Sequence, residues 1–225
     1  AGTRAPSGTN LQNYSFIIID DKKIKNKLQE MDKFNKLSEV PVIVLAIVDN
    51  YRVQRWFKNN NSKEYSLNQS STFFISLWDA HIALHNVSIA AESLGLGGYY
   101  IGSVYEYEIK EILNLPNHTF PAGMYCMGYP NELPEIRERF PLEAVVHRNT
   151  YKVFTDDEIN TIYSREDTIW KESSQARKDN LSKEEIYCAA DFYARRKYAK
   201  DYIRKRSDRV DKNIRNYEFE VNKPL

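Results

Sequence analysis

Short unbroken apolar runs alternate along the chain with stretches whose apolar residues recur every third or fourth position. The run Tyr14-Ser-Phe-Ile-Ile-Ile-Asp20 is β-branched and aromatic, and predicts a strand buried on both faces. Lys22 to Phe34 spaces Ile24, Leu28 and Met31 among lysines, the pattern of an amphipathic helix. Pro41 to Val48 is a second continuous apolar strand. Residues 51–70 are rich in Asn and Lys without a period, so a mobile surface loop or a broken helix is expected there. Thr72 to Leu94 carries Phe73, Leu77, Ala80, Leu84, Val87, Ala91 and Leu94 at helical spacing, with Ile75, Ile82 and Ile89 making the opposite side apolar too. A helix apolar all round is expected to run through the centre of the protein, stopped by Gly95.

Glu106 to Leu113 reads as a short helix closed before Pro116, and Pro121–Tyr129 and Leu142–His147 read as strands. Beyond Tyr151 the composition shifts to Lys, Arg, Glu and Tyr. Thr155 or Asp156 caps a helix reaching Trp170, and Ser182 with Glu185 forms a capping box for another reaching about Arg206. Strand, helix, strand, long helix, two strands and then helices make a mixed α+β domain with a helical tail.

Composition narrows this little. The 225 residues are 42% hydrophobic and 13% aromatic, enough to exclude disorder. Lys+Arg 32 against Asp+Glu 31 leaves a net charge of +1, so there is no global field for nucleic acid or acidic membrane. Cys126 and Cys188 stand far apart, which argues against a disulfide framework or zinc knuckle and for a reducing cytoplasmic compartment. The polar opening residues lack the apolar core of a signal peptide, and the apolar runs fall short of a membrane span. A start at Ala1 instead of Met is expected to reflect an upstream piece lost or removed.

Three segments could carry chemistry. Arg4-Ala-Pro-Ser-Gly-Thr-Asn-Leu-Gln12 places small hydroxyl and amide side chains on a Gly/Pro loop, suited to wrapping a polar planar ligand, although an ordinary turn has the same composition. Glu92 to Ser103 holds glycines at 95, 97, 98 and 102, which let backbone approach a ligand closely. They follow a helix instead of linking a strand to one, which excludes the dinucleotide fingerprint. Pro134-Glu-Ile-Arg137-Glu-Arg139-Phe-Pro141 points two arginines the same way from a stiffened extended segment; they could fork onto a phosphate or be a solvated surface pair. His81 and His85 lack a third ligand at metal-binding spacing and read as satisfied core or interface histidines. The basic stretch Arg195–Arg206 interleaves Tyr and Asp, and reads as a solvated helix with an aromatic packing stripe.

Taken in order, these segments resemble the nitroreductase family, specifically its NADPH-dependent nitro/flavin reductase branch. Arg4–Gln12 matches the family's first flavin-contacting loop, and Ala90–Ser103 its central motif. Met127-Gly-Tyr-Pro-Asn-Glu-Leu-Pro134, Arg137-x-Arg139-x-Pro141 and Val145–Tyr151 match its distal stretch. The resemblance implies one α+β domain over residues 1–225, with a mainly antiparallel sheet flanked by helices, a long central helix and a helical C-terminal extension over 176–225. It also implies a homodimer with FMN in clefts at the subunit interface. Ser7, Thr9, Asn10 and Gln12 would then line the flavin or its ribityl chain. Tyr100, Ile101, Gly102 and Ser103 would approach the isoalloxazine, and Arg137 and Arg139 would hold the phosphate.

The implied reaction is ping-pong: NAD(P)H reduces FMN and leaves, and a nitroaromatic, quinone or free flavin then takes the electrons. No catalytic side chain, metal, nucleic acid or membrane is implied. The chain departs from the pattern twice. An Arg-Ser-x-Arg segment expected upstream of the first loop is not in the sequence, and a Gln-containing loop is shortened to Asp32–Glu39. A non-catalytic flavin-binding or dimerisation protein on the same scaffold is the alternative.

Overall fold

A computed structural model describes residues 1–32, 35–172, 186 and 188–220. They group into two compact units, Ala1–Leu133 with Arg206–Leu225, and Pro134–Lys205.

The first unit is built on a four-stranded antiparallel sheet in the order β1-β2-β4-β3. The strands are β1 (Tyr14–Ile19), β2 (Val42–Asp49), β3 (Gly97–Ile101) and β4 (Thr119–Gly128). Central strands are covered on both faces, and the continuous apolar runs of β2 and β4 are buried almost throughout. Alternate residues serve two cores. Ile43, Leu45 and Met124 pack with Leu28, Tyr217 and Phe219, while Val44, Ala46 and Ala122 pack with Ala80, Ala83 and Leu84.

β1 departs from the expectation of two buried faces. It pairs only with β2, and Ile18 is 59% exposed. An apolar run does not distinguish an edge strand from a central one, because only its neighbours decide which face is covered.

Helix α1 spans Lys22–Met31 and begins with Asp21 accepting from Ile24 N at 2.9 Å. Helix α2 (Asn50–Asn59) forms in the stretch read as loop or broken helix; Asp49 caps it by accepting from Arg52 N at 3.0 Å. Helix α3 (Ser70–Ser93) lies against the sheet, and Gly95 stands just past its end with φ +78°. Its expected burial all round is corrected. Phe73, Ala80, Ala83, Leu84 and Ala91 are buried, whereas Ile75, Trp78, Ile82 and Ile89 remain 44–65% exposed. One sheet covers one side of a helix, and among the described residues nothing comparable lies on the other.

Glu106–Leu113 is also not one helix: a 3-10 turn covers Gly102–Glu106, and α4 is confined to Lys110–Leu113. The last helix, Lys200–Asn216, ties its residues from Arg206 onward to this region. Asn213 Nδ2 donates to Tyr105 O at 2.9 Å and Tyr107 O at 3.2 Å.

In the second unit the strand expected at Leu142–His147 is replaced by a one-turn helix, α5 (Leu142–Val145). Four residues after Pro141 form a turn, and among the described residues no strand lies beside them to extend against. Helix α6 (Asp156–Glu172) follows the expected cap. Glu158 N donates to Thr155 Oγ1 at 3.3 Å, and Glu158 Oε2 accepts from Thr155 N at 2.9 Å. The expected capping box at Ser182 and Glu185 lies outside the described residues. The basic stretch is interrupted: a π turn covers Tyr193–Lys197 and the regular helix starts at Lys200. Among the described residues no helix is long and apolar enough to cross a membrane.

Candidate functional site

The opening loop is a strained piece of backbone. Thr9, Asn10 and Gln12 all have positive φ, at 51°, 57° and 51°. Left-handed backbone costs an L-residue ~1–2 kcal/mol, and threonine tolerates it poorly because it is β-branched. Two long-range anchors hold the loop. Gly8 N donates to both carboxylate oxygens of Asp79 on α3, each at 3.1 Å. Arg52 Nη2 donates to Gln12 O at 2.6 Å and to Tyr14 O at 3.0 Å. Burial raises the Asp79 pKa, and the Gly8 amide partly offsets this by stabilising the carboxylate.

With its backbone so held, the loop leaves side-chain donors and acceptors available. Ser7 Oγ is buried without a hydrogen-bond partner. Thr9 Oγ1 bonds only locally, to Gly8 O at 2.7 Å, and Gln12 Nε2 reaches Asn10 O at a long 3.4 Å.

The central segment is strand β3 followed by a 3-10 turn, so its glycines do different jobs. Gly98 serves packing: a Cβ there would collide with the Tyr125 ring and approach Cys126 O at 2.6 Å. Gly102 faces open space, with nothing within 4 Å of an added Cβ. Gly95, just past the end of α3, is open in the same way. Ile101 is buried in the core.

Tyr100 turns toward α3. Its hydroxyl donates to Ser88 Oγ at 2.5 Å and lies 3.2 Å from His85 Nδ1, and its ring meets Tyr125 at a 49° tilt with centroids 5.0 Å apart. Ser88 Oγ itself donates to His85 O at 2.8 Å, so His85 Nδ1 carries the proton if it donates to Tyr100. His81 Nδ1 meets Leu77 O at 2.8 Å. These histidines are thus satisfied within the helix and its strand, and no group of three or more metal-binding side chains occurs among the described residues.

One helix therefore anchors both predicted flavin-facing segments, the loop at Asp79 and the strand at Ser88. Arg137 and Arg139 belong to the second unit, in an exposed stretch without regular structure. Arg139 Nη1 donates to Arg137 O at 3.2 Å, and Glu138 pairs with Arg165 at 2.8 Å. A cavity of about 440 Å³ lined by Asn35, Lys36, Glu39, Val40 and Tyr99 includes none of the predicted site residues.

The sequence pattern did not single out Asp79, Arg52 or Ser88. A polar residue inside an apolar helix was the available signal for Asp79 and Ser88, but their partners are set by folding alone.

With that geometry in place, similarity to known proteins becomes informative. The model of the nitroreductase family matches residues 1–129. The FMN reductase (NADPH) of Bacillus subtilis strain 168 is 30% identical over 211 residues, covering 90% of this chain and 84% of that protein. The solved structure of the hypothetical oxidoreductase YcnD from Bacillus subtilis aligns with a TM-score of 0.80 at 28% identity, over 99% of this chain and 87% of that one. The NADPH:FMN oxidoreductase from Vibrio harveyi complexed with NAD+ aligns with a TM-score of 0.65 at 28% identity, over 73% of this chain and 70% of that one. The chain belongs to the nitroreductase family, and its mixed α+β fold is that of the family.

Proposed function

We propose that this chain is a flavoenzyme that holds FMN and passes electrons from NAD(P)H to nitroaromatics, quinones or free flavin in two half-reactions. Bound FMN would supply the two-electron chemistry; the chain's own residues bind, orient and polarise. The observation that carries this reading is the strained Thr9–Gln12 backbone beside the unpartnered, buried Ser7 hydroxyl. Strain of this kind persists where surrounding structure enforces it, and it concentrates at ligand clamps. The donor set suits a flavin: hydroxyls and amides for the polyol and ring edge, open backbone at Gly102 for the ring, and guanidinium groups for the phosphate.

In this reading Ser7, Thr9, Asn10 and Gln12 hydrogen-bond the cofactor, Tyr100 to Ser103 border its ring, and Arg137 and Arg139 neutralise its phosphate. No side chain is required as a nucleophile. The outward apolar residues Ile75, Trp78, Ile82 and Ile89 on α3 support a homodimer in which a second copy covers them. Both cysteines are free thiols, which suits a reducing cytoplasmic compartment.

The test is spectroscopic. Purified protein should carry or take up FMN, show flavin absorbance, and bleach when NADPH is added without oxygen. Protein that remains colourless after incubation with FMN overturns the reading and leaves a non-catalytic family member.

A further inference from the structure

The strained loop needs a restraint outside itself, and at its start one long-range contact supplies it. Gly8 N lies 3.1 Å from each carboxylate oxygen of Asp79, a residue 71 positions away and only 6% exposed. The contact requires glycine at position 8, since a Cβ there would stand 2.9 Å from Ile75 Cγ2. Gly8 immediately precedes Thr9 and Asn10, so fixing its amide fixes where the left-handed pair begins. Arg52 holds the far end through Gln12 O at 2.6 Å. Between these two points the side chains of Thr9, Asn10 and Gln12 are projected without being consumed by long-range bonds of their own.

We propose that Asp79 is a positioning residue for cofactor binding: its carboxylate clamps the Gly8 amide and so presents the Ser7–Gln12 loop in its ligand-ready conformation. This rests on the flavin reading for the identity of the ligand, but not for the clamp itself. A preset loop binds without losing conformational freedom at the moment of binding, so the clamp should act on affinity. The hydrogen bond needs an acceptor at this place and does not need a full charge. Asparagine can supply that acceptor, whereas alanine cannot.

The experiment compares Asp79→Ala and Asp79→Asn with wild type in two measurements. Amide hydrogen exchange is followed in flavin-free protein, and FMN affinity is measured by quenching of flavin fluorescence. Asp79→Ala should accelerate exchange at residues 8–12 with the β2 and β4 amides unchanged, and weaken FMN binding about tenfold, the loss expected for one hydrogen bond to a charged group. Asp79→Asn should restore most of both. Unchanged exchange at Gly8 in Asp79→Ala overturns the clamp, as does an Asparagine variant that behaves like alanine. Exchange accelerated equally across the sheet overturns it too, because that marks general destabilisation. Wild-type protein that binds no FMN while the exchange results hold overturns the flavin reading and the cofactor role proposed here for Asp79.

Discussion

The carboxylate of Glu106 lies 2.6 and 2.8 Å from two nitrogens of the Arg206 guanidinium, 100 residues further along the chain. Arg209 Nη2 reaches the second carboxylate oxygen at 2.8 Å, and the Glu106 side chain is only 8% exposed. Glu106 closes the 3-10 turn that contains Gly102 and Ser103, so this network fastens the last helix to the segment proposed to border the flavin. Glu106→Ala would leave two guanidinium groups without their shared acceptor. A loss of about 2 kcal/mol in unfolding free energy is expected, less than for a fully buried pair because both arginines are partly solvated. Urea denaturation at neutral pH measures it, and a loss under ~0.5 kcal/mol would show the network to be an ordinary surface contact.

Gly98 and Gly102 should separate by assay. Gly98→Ala drives a methyl group into Tyr125 and the Cys126 carbonyl, so β3 must shift from β4 at a cost of about 1–3 kcal/mol. Gly102→Ala meets nothing and should change stability by no more than ~0.5 kcal/mol, while reducing FMN affinity. Thermal melts and flavin titrations on the two variants distinguish packing from ligand approach. Equal effects on both measurements would remove Gly102 from the site.

Arg139→Ala should weaken FMN binding by about 1.5–3 kcal/mol, the range for a hydrogen bond to a charged group. Riboflavin, which has no phosphate, should bind wild type and variant alike. An equal loss for both ligands would place Arg139 away from the phosphate.

Cys126 should be chemically silent in the native protein. Burial pushes its thiol up to about 11, well above the ordinary thiol range, with the Tyr99 hydrogen bond working in the opposite direction. Thiol reagents at pH 8 should therefore modify Cys188 much faster than Cys126, and the difference should vanish in denaturant. The same shift has a consequence for stability. The unfolded chain loses this proton more readily than the folded one, so stability is intact below about pH 9 and falls as pH rises toward 11. Cys126→Ala should flatten part of that alkaline decline. Tyr14, Tyr99, Tyr107, Tyr125 and Tyr217 are also raised, chiefly by burial, and add to the decline above pH 10.

Several elements were readable because their cause is local. The apolar runs of β2 and β4, the helical spacing of α3, the αL stop at Gly95 and the helix cap at Thr155 each depend on a few neighbouring residues. The errors share a different cause. Tyr14–Ile19 and Val42–Asp49 look alike as sequences, yet one is an edge strand and the other central, because pairing partners are remote. Leu142–Val145 has strand-like composition but, among the described residues, no strand beside it, and becomes a helical turn.

For the candidate site, residue type and order alone determined the family likeness, the hydrogen-bonding character of Ser7–Gln12 and the glycine-rich run before Ser103. Tertiary structure decided how those residues are used. It assigned Gly98 to packing and Gly102 to open space, made Ser88 the partner of Tyr100, and brought the Asp79 carboxylate to the Gly8 amide. The physical reason is separation along the chain. Propensity and periodicity act over a few residues, whereas a contact between positions 8 and 79 exists only after α3 has packed on the sheet and carried its polar side chains to the loop.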